Sequence, residues 1–287
     1  MENKSVTTPP FRDRYLPFVA NSGFHNLCYR EWGDGDNPKV LICVHGLSRN
    51  RLDFDTLAAA LADEYRVLAI DMPGRGGSDW LPDPADYNYP YFQSLLASLI
   101  AVSGASSVDW VGTSMGGILG MCLASLPRTP IRRLVLNDIG PFISGASRAA
   151  NTNRAAAAAV YASEQEAIEL VLETRKSFGP FTPEAAMKFA RDSLMRSADG
   201  QWRLHYDPRI IYGRDTSDAD MWAQWDRINI PVLTIWGVDS ILLSADTVER
   251  MRATGPRSAV YAMPGIGHCP GLTSADEIAQ VRSFLLT

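Results

Sequence analysis

The sequence predicts an α/β fold: a mostly parallel, doubly wound sheet with an inserted helical cap. Three observations predict it. Short apolar segments alternate with stretches of helical spacing, the pattern of a parallel sheet covered by helices on both faces. Residues 39–44 are almost wholly apolar, as in a strand buried on both sides. Strand signals stop across residues 141–227 and then resume for two more strands.

The elements follow in order. Residues 16–20 and 25–32 read as an opening hairpin turned around Asn21-Ser22-Gly23. The strand over 39–44 precedes a helix over 52–62. The strand over 66–70 ends in the turn-rich loop Asp71-Met72-Pro73-Gly74-Arg75-Gly76-Gly77-Ser78, and residues 91–102 are helical. A strand over 107–111 runs into Gly112-Thr113-Ser114-Met115-Gly116, and an apolar helix covers 118–126. The strand over 131–137 leads to Asp138-Ile139-Gly140-Pro141. Beyond the interruption, strands over 231–236 and 259–263 flank a helix over 245–253, and a last helix fills 274–286.

Inside the interruption, residues 149–162 are alanine-rich. Ala167, Ile168, Val171 and Leu172 fall near helical spacing within 164–178, with Glu166 in an early position. Thr182 and Pro183 mark the cap and first turn of a helix over 183–195, with Glu184 close behind. The expected division is a core of residues 1–140 and 228–287 and a helical cap of residues 141–227.

A chain of 287 residues can bury one large core. Its 46% apolar and 21% charged residues are ordinary for a globular protein. A net charge of −5 argues against a nucleic-acid partner, and there is no basic membrane patch. No apolar run approaches the ~20 residues needed to span a bilayer. Met1 to Pro10 holds no hydrophobic signal core. Cys28, Cys43, Cys122 and Cys269 show no metal spacing, and the first three lie in apolar segments. A cytoplasmic, reducing location is expected, with the chain a monomer or homodimer.

The chemistry centres on Gly112-Thr113-Ser114-Met115-Gly116, a G-x-S-x-G pattern between a β-prone segment and an apolar helix. Such a turn strains the serine backbone and exposes its hydroxyl at the end of a strand. Bare, the pattern is weak, and a Gly-rich turn is the competing explanation. A nucleophilic serine also needs a base, an acid that orients it, and donors for the oxyanion. His268, in Pro264-Gly265-Ile266-Gly267-His268-Cys269-Pro270 after the last strand, is the base candidate. His25 and His205 lack such a context.

Taken together, the His45-Gly46 loop, the loop from Asp71 to Gly76, the segment from Gly112 to Gly116 and Gly267-His268 resemble the α/β-hydrolase superfamily. The resemblance covers nearly the whole chain in the family's order. It is nearest to the capped esterases, lactonases and carbon–carbon bond hydrolases. Serine at the elbow separates it from the dehalogenase and epoxide hydrolase branches, which carry aspartate there. The resemblance implies that the N–H groups of Leu47 and Met115 form the oxyanion hole, each donor worth ~3 kcal/mol in the transition state. His45 then shapes that loop, and Asp71 forms the turn before Pro73-Gly74. Members usually place the acid three residues after the glycine ending the penultimate strand. Here that glycine is Gly237 and the third residue on is Ser240, with Asp239 one place early. Some members instead carry the acid after the preceding strand, where this chain has Asp138. Asp138 is preferred and Asp239 is kept.

These residues imply a serine hydrolase acting through an acyl-enzyme, with no metal or organic cofactor, on a small, largely apolar or aromatic ester or lactone. Trp80, Phe142, Trp202, Tyr206 and Trp222 are candidate lining residues, although Trp222 and Trp225 read better as packing between cap and core. No cluster of Arg or Lys marks an acidic-substrate pocket, with Arg49, Arg148 and Arg203 the ones to watch. A carbon–carbon hydrolase for a dienoate ring-cleavage product would use the same triad, and an arginine beside the pocket would favour it. A non-catalytic binding protein on this scaffold is the third alternative, and an intact serine and histidine weigh against it.

Overall fold

A computed structural model describes residues 9–156 and 160–287. Residues 1–8, including most of the segment searched for a signal core, and residues 157–159 of the alanine-rich stretch lie outside it. The chain opens with a hairpin, β1 (Phe11–Ala20) and β2 (Gly23–Trp32), longer than expected because β1 starts at Phe11. The buried strand β3 (Val40–Val44) leads through a 3-10 turn (Arg51–Phe54) into α1 (Asp55–Leu61). The expected helix over 52–62 therefore begins as a tighter turn, capped by the Asn50 side chain. Strand β4 (Arg66–Ile70) and α2 (Tyr89–Val102) follow. Asn88 caps α2, and Pro90 occupies its first turn, so the helix starts two residues earlier than the apolar pattern indicated.

Strand β5 (Val108–Thr113), α3 (Met115–Ala124) and β6 (Ile131–Asn137) form the centre of the molecule. Helix α3 is apolar all round because nearly every residue in it is buried. The segment after β6 holds the short strand β7 (Phe142–Ile143), α4 (Gly145–Ala156), β8 (Val160–Tyr161), α5 (Glu164–Thr174), α6 (Pro183–Asp192), β9 (Leu194–Arg196), β10 (Trp202–Leu204), β11 (Ala219–Asp220) and α7 (Trp222–Trp225). Strand pattern does not stop here as the sequence implied. A three-stranded sheet, β8-β10-β9, and a two-stranded one, β11-β7, tie the helices together. Two- and three-residue strands are too short to show a period, so they were not visible in the sequence. The chain closes with β12 (Val232–Gly237), α8 (Ala245–Ala253), β13 (Ala259–Met263) and α9 (Ala275–Leu286), the last opened by a Ser274/Glu277 capping box.

Among the described residues, eight strands form one sheet in the order β1-β2-β4-β3-β5-β6-β12-β13. The pairs involving β2 are antiparallel and the remainder parallel. Apolar clusters fill both faces of the sheet. Residues 141–227 are the connection between the neighbouring strands β6 and β12. Their own small cluster gathers Tyr161, Ala167, Ile168, Val171, Ala190 and Leu194. Hydrogen bonds seat the segment on the core: Asn50 Nδ2 donates to the Asp192 carbonyl at 2.6 Å, and the Gly267 N–H to the Ser177 carbonyl at 3.2 Å. No helix among the described residues is long and apolar enough to cross a membrane.

Candidate active site

Three side chains converge at the C-terminal ends of the central strands. Ser114 follows β5 directly and opens α3, with φ 51° and ψ −112°. Holding a non-glycine residue there costs on the order of 1–3 kcal/mol. The close packing of the turn explains its glycines. A Cβ on Gly112 would run into the Gly116 carbonyl, and one on Gly116 into the Val44 carbonyl of β3. Backbone fixed in a sheet or helix cannot retreat from such a contact.

Asp138 is the first residue after β6 and also has a positive φ of 56°. Its N–H donates to the Ile235 carbonyl at 2.8 Å, tying the end of β6 to β12. The carboxylate is fully buried. One oxygen accepts from the Gly237 N–H at 2.9 Å, and the other lies 2.7 Å from Nδ1 of His268. His268 hangs in the loop between β13 and α9, with Nε2 3.1 Å from Ser114 Oγ. A carboxylate can only accept, so Nδ1 carries the proton and Nε2 turns its lone pair to the hydroxyl. Asp239 is not part of this chain of contacts. Its side chain is exposed, and its backbone N–H donates to the Ile266 carbonyl at 2.9 Å. The structure thus brings Ser114, His268 and Asp138 together and leaves Asp239 outside.

The loop after β3 lies against the serine. A Cβ on Gly46 would be 3.6 Å from Ser114 Cβ, ordinary contact. Leu47 and Met115 are buried beside it, and among the described residues neither N–H donates a hydrogen bond. Two buried side chains brace these donors. His45 Nδ1 donates to the Gly46 carbonyl at 2.7 Å, and its Nε2 accepts from the Met72 N–H at 2.9 Å. Arg75 donates through Nε to the Leu47 carbonyl at 2.9 Å and through Nη1 to the Pro73 carbonyl at 2.6 Å. Its Nη2 also lies 3.9 Å from the Met115 sulfur. Asp71 accepts from the Arg51 and Gly77 N–H groups at 2.6 and 2.7 Å, which closes the neighbouring turn.

Burial pushes the His45 pKa down to about 3. The unfolded residue takes a proton near pH 6.5, whereas the folded one stays neutral. Between those values the unfolded state binds more protons, so stability is full above pH 6.5 and falls as the pH is lowered. This residue contributes up to about 1.4 kcal/mol per pH unit in that window. His205 is held below its ordinary value too, by burial and then by Arg51, and adds to the effect. Urea unfolding at pH 7, 6 and 5 should show the decline, with a shallower one for His45→Asn. Parallel declines for the two proteins would remove His45 as its source.

Two small chambers flank Ser114. One, of about 20 Å³, is walled by Ser48, Arg49, Asn151, Arg154, Arg175 and Phe178. The other, of about 10 Å³, is mostly apolar, with Ile118, Ile139, Ile143 and Leu242, and has Arg148 and Arg214 on its wall. A larger cavity of about 220 Å³ shares Thr113, Phe178 and Cys269 with the first chamber and is lined further by Phe181 and Phe189. The aromatic residues expected at the site line none of these spaces. Trp80 is 37% exposed. Phe142 belongs to β7, pairs with Asp220 and packs on the main core. Trp202 sits in β10 opposite Tyr161 and Arg196. Tyr206 is buried and donates its hydroxyl to the Ala155 carbonyl at 2.9 Å. Trp222 and Trp225 are buried in the main core. Of the arginines singled out, Arg49 faces the first chamber and Arg148 the second, and Arg203 pairs with Asp199. The sequence missed Asn151, Arg154, Arg175 and Phe178. Each lies in an unremarkable helical or loop context, and only the return of α4 and α5 over the strand ends assembles them.

The model of the alpha/beta hydrolase family matches residues 41–281, from β3 into α9. The chain belongs to the alpha/beta hydrolase family. It is a hydrolase. Over 281 residues it is 36% identical to the 3-hydroxybutyrate-oligomer hydrolase of Cupriavidus necator, covering 94% of this chain and 96% of that one. It is 25% identical to an esterase of Mycobacterium tuberculosis across 88% of this chain and 84% of that one. The crystal structure of an alpha/beta hydrolase from Novosphingobium aromaticivorans superposes with a TM-score of 0.85 at 30% identity, over 96% of this chain and 98% of that one. Among the described residues of this hydrolase, no group of three His, Cys, Asp or Glu side chains could hold a metal ion.

Proposed function

We propose that this hydrolase cleaves small carboxylic esters through an acyl-enzyme on Ser114. The observation that carries the proposal is the continuous contact chain from Asp138 through His268 to Ser114 Oγ. Ser114 Oγ attacks the ester carbonyl as His268 Nε2 takes its proton. The N–H groups of Leu47 and Met115 receive the oxyanion. Protonated His268 gives the proton to the departing alkoxide as the acyl–oxygen bond breaks. Water, activated by the same nitrogen, then attacks the acyl-enzyme and releases the acid. Asp138 holds the imidazole tautomer and stabilises its positive charge. Arg75 and His45 act only by positioning the oxyanion loop.

Residues 141–227 serve as the cap. The chamber over Ser114 has room for about one water-sized group, so substrate enters when Phe178 or its loop shifts. The similarity to a 3-hydroxybutyrate-oligomer hydrolase makes short hydroxy-acid esters the first substrates to try. The unpaired Cys28, Cys43, Cys122 and Cys269 suit a reducing, cytoplasmic location.

Mixing stoichiometric enzyme with a p-nitrophenyl ester tests the proposal. A burst of nitrophenolate near one equivalent is expected, with the acyl mass on the peptide containing Ser114 after acid quench. An acyl mass on another residue, or turnover with no covalent species even when deacylation is slowed, would overturn it. Arg175 beside Ser114 also keeps the carbon–carbon hydrolase alternative in play. Turnover of a dienoate ring-cleavage product, with no ester cleaved, would move the assignment there.

A further inference from the structure

In the first chamber beside Ser114 the cap presents two arginines for which the ester mechanism has no use. Arg175 closes the C-terminal end of α5 and is only 7% exposed. Among the described residues its guanidinium makes one side-chain hydrogen bond, from Nη2 to Ser48 Oγ at 3.1 Å. Its guanidinium carbon stands 5.8 Å from the centre of the Phe178 ring. Arg154, near the end of α4, donates to the Asn151 side-chain oxygen at 2.6 Å. Neither arginine has a carboxylate within ion-pair distance among the described residues. Arg49, on the third wall, differs. It is paired with Asp53, with Nε 2.9 Å from Oδ2, and its guanidinium lies 3.8 Å over the Phe189 ring.

A buried guanidinium without a counter-ion is a costly arrangement, and two facing one chamber also repel each other. Burial first, then the charges of Arg154 and Arg49, push the Arg175 pKa down to about 10, so it remains charged at neutral pH. Arg154 is shifted down as well, chiefly by burial. The carboxylates behind the chamber's walls are committed: Asp53 to Arg49, and Asp138 to His268 and the Gly237 N–H. The Cys269 thiol in the same wall is held neutral by burial. The chamber is therefore a site of uncompensated positive charge, lined by planar donors whose fork geometry matches a carboxylate.

Resting on the ester-hydrolase assignment, we infer that Arg154 and Arg175 bind a free carboxylate of the substrate, so that this enzyme selects esters that are also acids. Once Phe178 or its loop has shifted, the scissile carbonyl lies at Ser114 and the carboxylate arm on the Arg154/Arg175 side. The other arm lies on the mostly apolar side walled by Ile118, Ile139 and Leu242, which also carries Arg148 and Arg214. A neutral ester would leave both guanidinium groups uncompensated and lose that part of its binding.

Two matched pairs test the inference. In the first, 3-butyryloxybutyrate and its methyl ester, the charge is on the alcohol side. In the second, mono-p-nitrophenyl succinate and p-nitrophenyl butyrate, it is on the acyl side. The wild type should prefer the free acid at least tenfold in kcat/KM in one pair, mainly through KM, and that pair identifies the arm. Arg175→Met and Arg154→Met should each reduce the ratio of acid to neutral ester about tenfold, with partial recovery in Arg175→Lys. Equal rates on acid and neutral ester in both pairs, or a ratio unchanged in both variants, would overturn the inference. A measurement on the wild type alone guards against misfolded variants. The acid 3-hydroxybutyrate should raise the melting temperature at a concentration at least tenfold below that needed of 3-hydroxybutyramide. Equal shifts, or none from either, would count against a carboxylate site. This comparison does not depend on turnover, so it decides the anion site even if no Ser114-dependent hydrolysis is found.

Discussion

Asp138→Asn lowers kcat about 10⁴-fold, whereas Asp239→Asn changes it less than about twofold. The size follows from the tautomer of His268. In the wild type, one carboxylate oxygen takes the Gly237 N–H at 2.9 Å and the other the Nδ1–H at 2.7 Å. An asparagine amide has one oxygen. The Gly237 N–H is fixed in the backbone and claims it, which turns the NH2 group toward Nδ1. An NH2 donor there puts the imidazole proton on Nε2, and Nε2 can then no longer accept the Ser114 proton. Asp239 makes no side-chain contact with this system and lies exposed, so its charge is screened by solvent. Steady-state rates of both variants on one p-nitrophenyl ester decide the point, with melting curves to establish folding. A severe loss in Asp239→Asn and a mild one in Asp138→Asn would reverse the assignment.

Ser114→Ala lowers kcat by on the order of 10⁶-fold, a larger effect because the covalent path disappears. The variant keeps the oxyanion donors and the binding chambers, so it should still bind substrate and retain a slow background of ~10³-fold over water. The alanine has no Oγ to meet His268 Nε2 and can form no acyl-enzyme. Its KM should stay near the wild-type value, because the hydroxyl contributes little to ground-state binding. Rates on a p-nitrophenyl ester, with the variant purified free of wild-type carry-over, measure the loss. A variant retaining more than a few per cent of the activity would exclude Ser114 as the nucleophile.

Much of the fold was legible because its signals are local. Strands β4, β6 and β13 and helix α8 have the bounds that apolar runs and spacing indicated. The parallel sheet was readable from alternation alone, since a strand buried on both faces has to be apolar along its length. The connection between β6 and β12 was harder. Its helix α5 announces itself through Ala167, Ile168, Val171 and Leu172 near helical spacing, and α6 through the Thr182 cap. Its strands are held by pairing across tens of residues, and neither composition nor period marks them.

The site divides along the same line. Ser114 and His268 stood out because a strained turn and a Gly/Pro-rich loop demand particular residues in adjacent positions. Two candidates for the acid remained, because one residue of displacement in a loop reverses a side chain without leaving a mark in the sequence. The aromatic residues chosen for the pocket were reasonable by type, but packing took Phe142, Trp202, Tyr206 and Trp222 into strands and core and left Trp80 partly exposed. The sequence by itself determined the sheet, the strained turn at Ser114 and the histidine loop, since each is a local demand of backbone geometry or burial. Only the tertiary structure decided which carboxylate touches His268 and which side chains wall Ser114. Asp138 reaches the imidazole because the Gly237 N–H and the end of β12 lock it there, 130 positions away in the chain. Arg154 and Arg175 meet because two helices of the inserted segment end above the same strand ends, an encounter set by long-range packing.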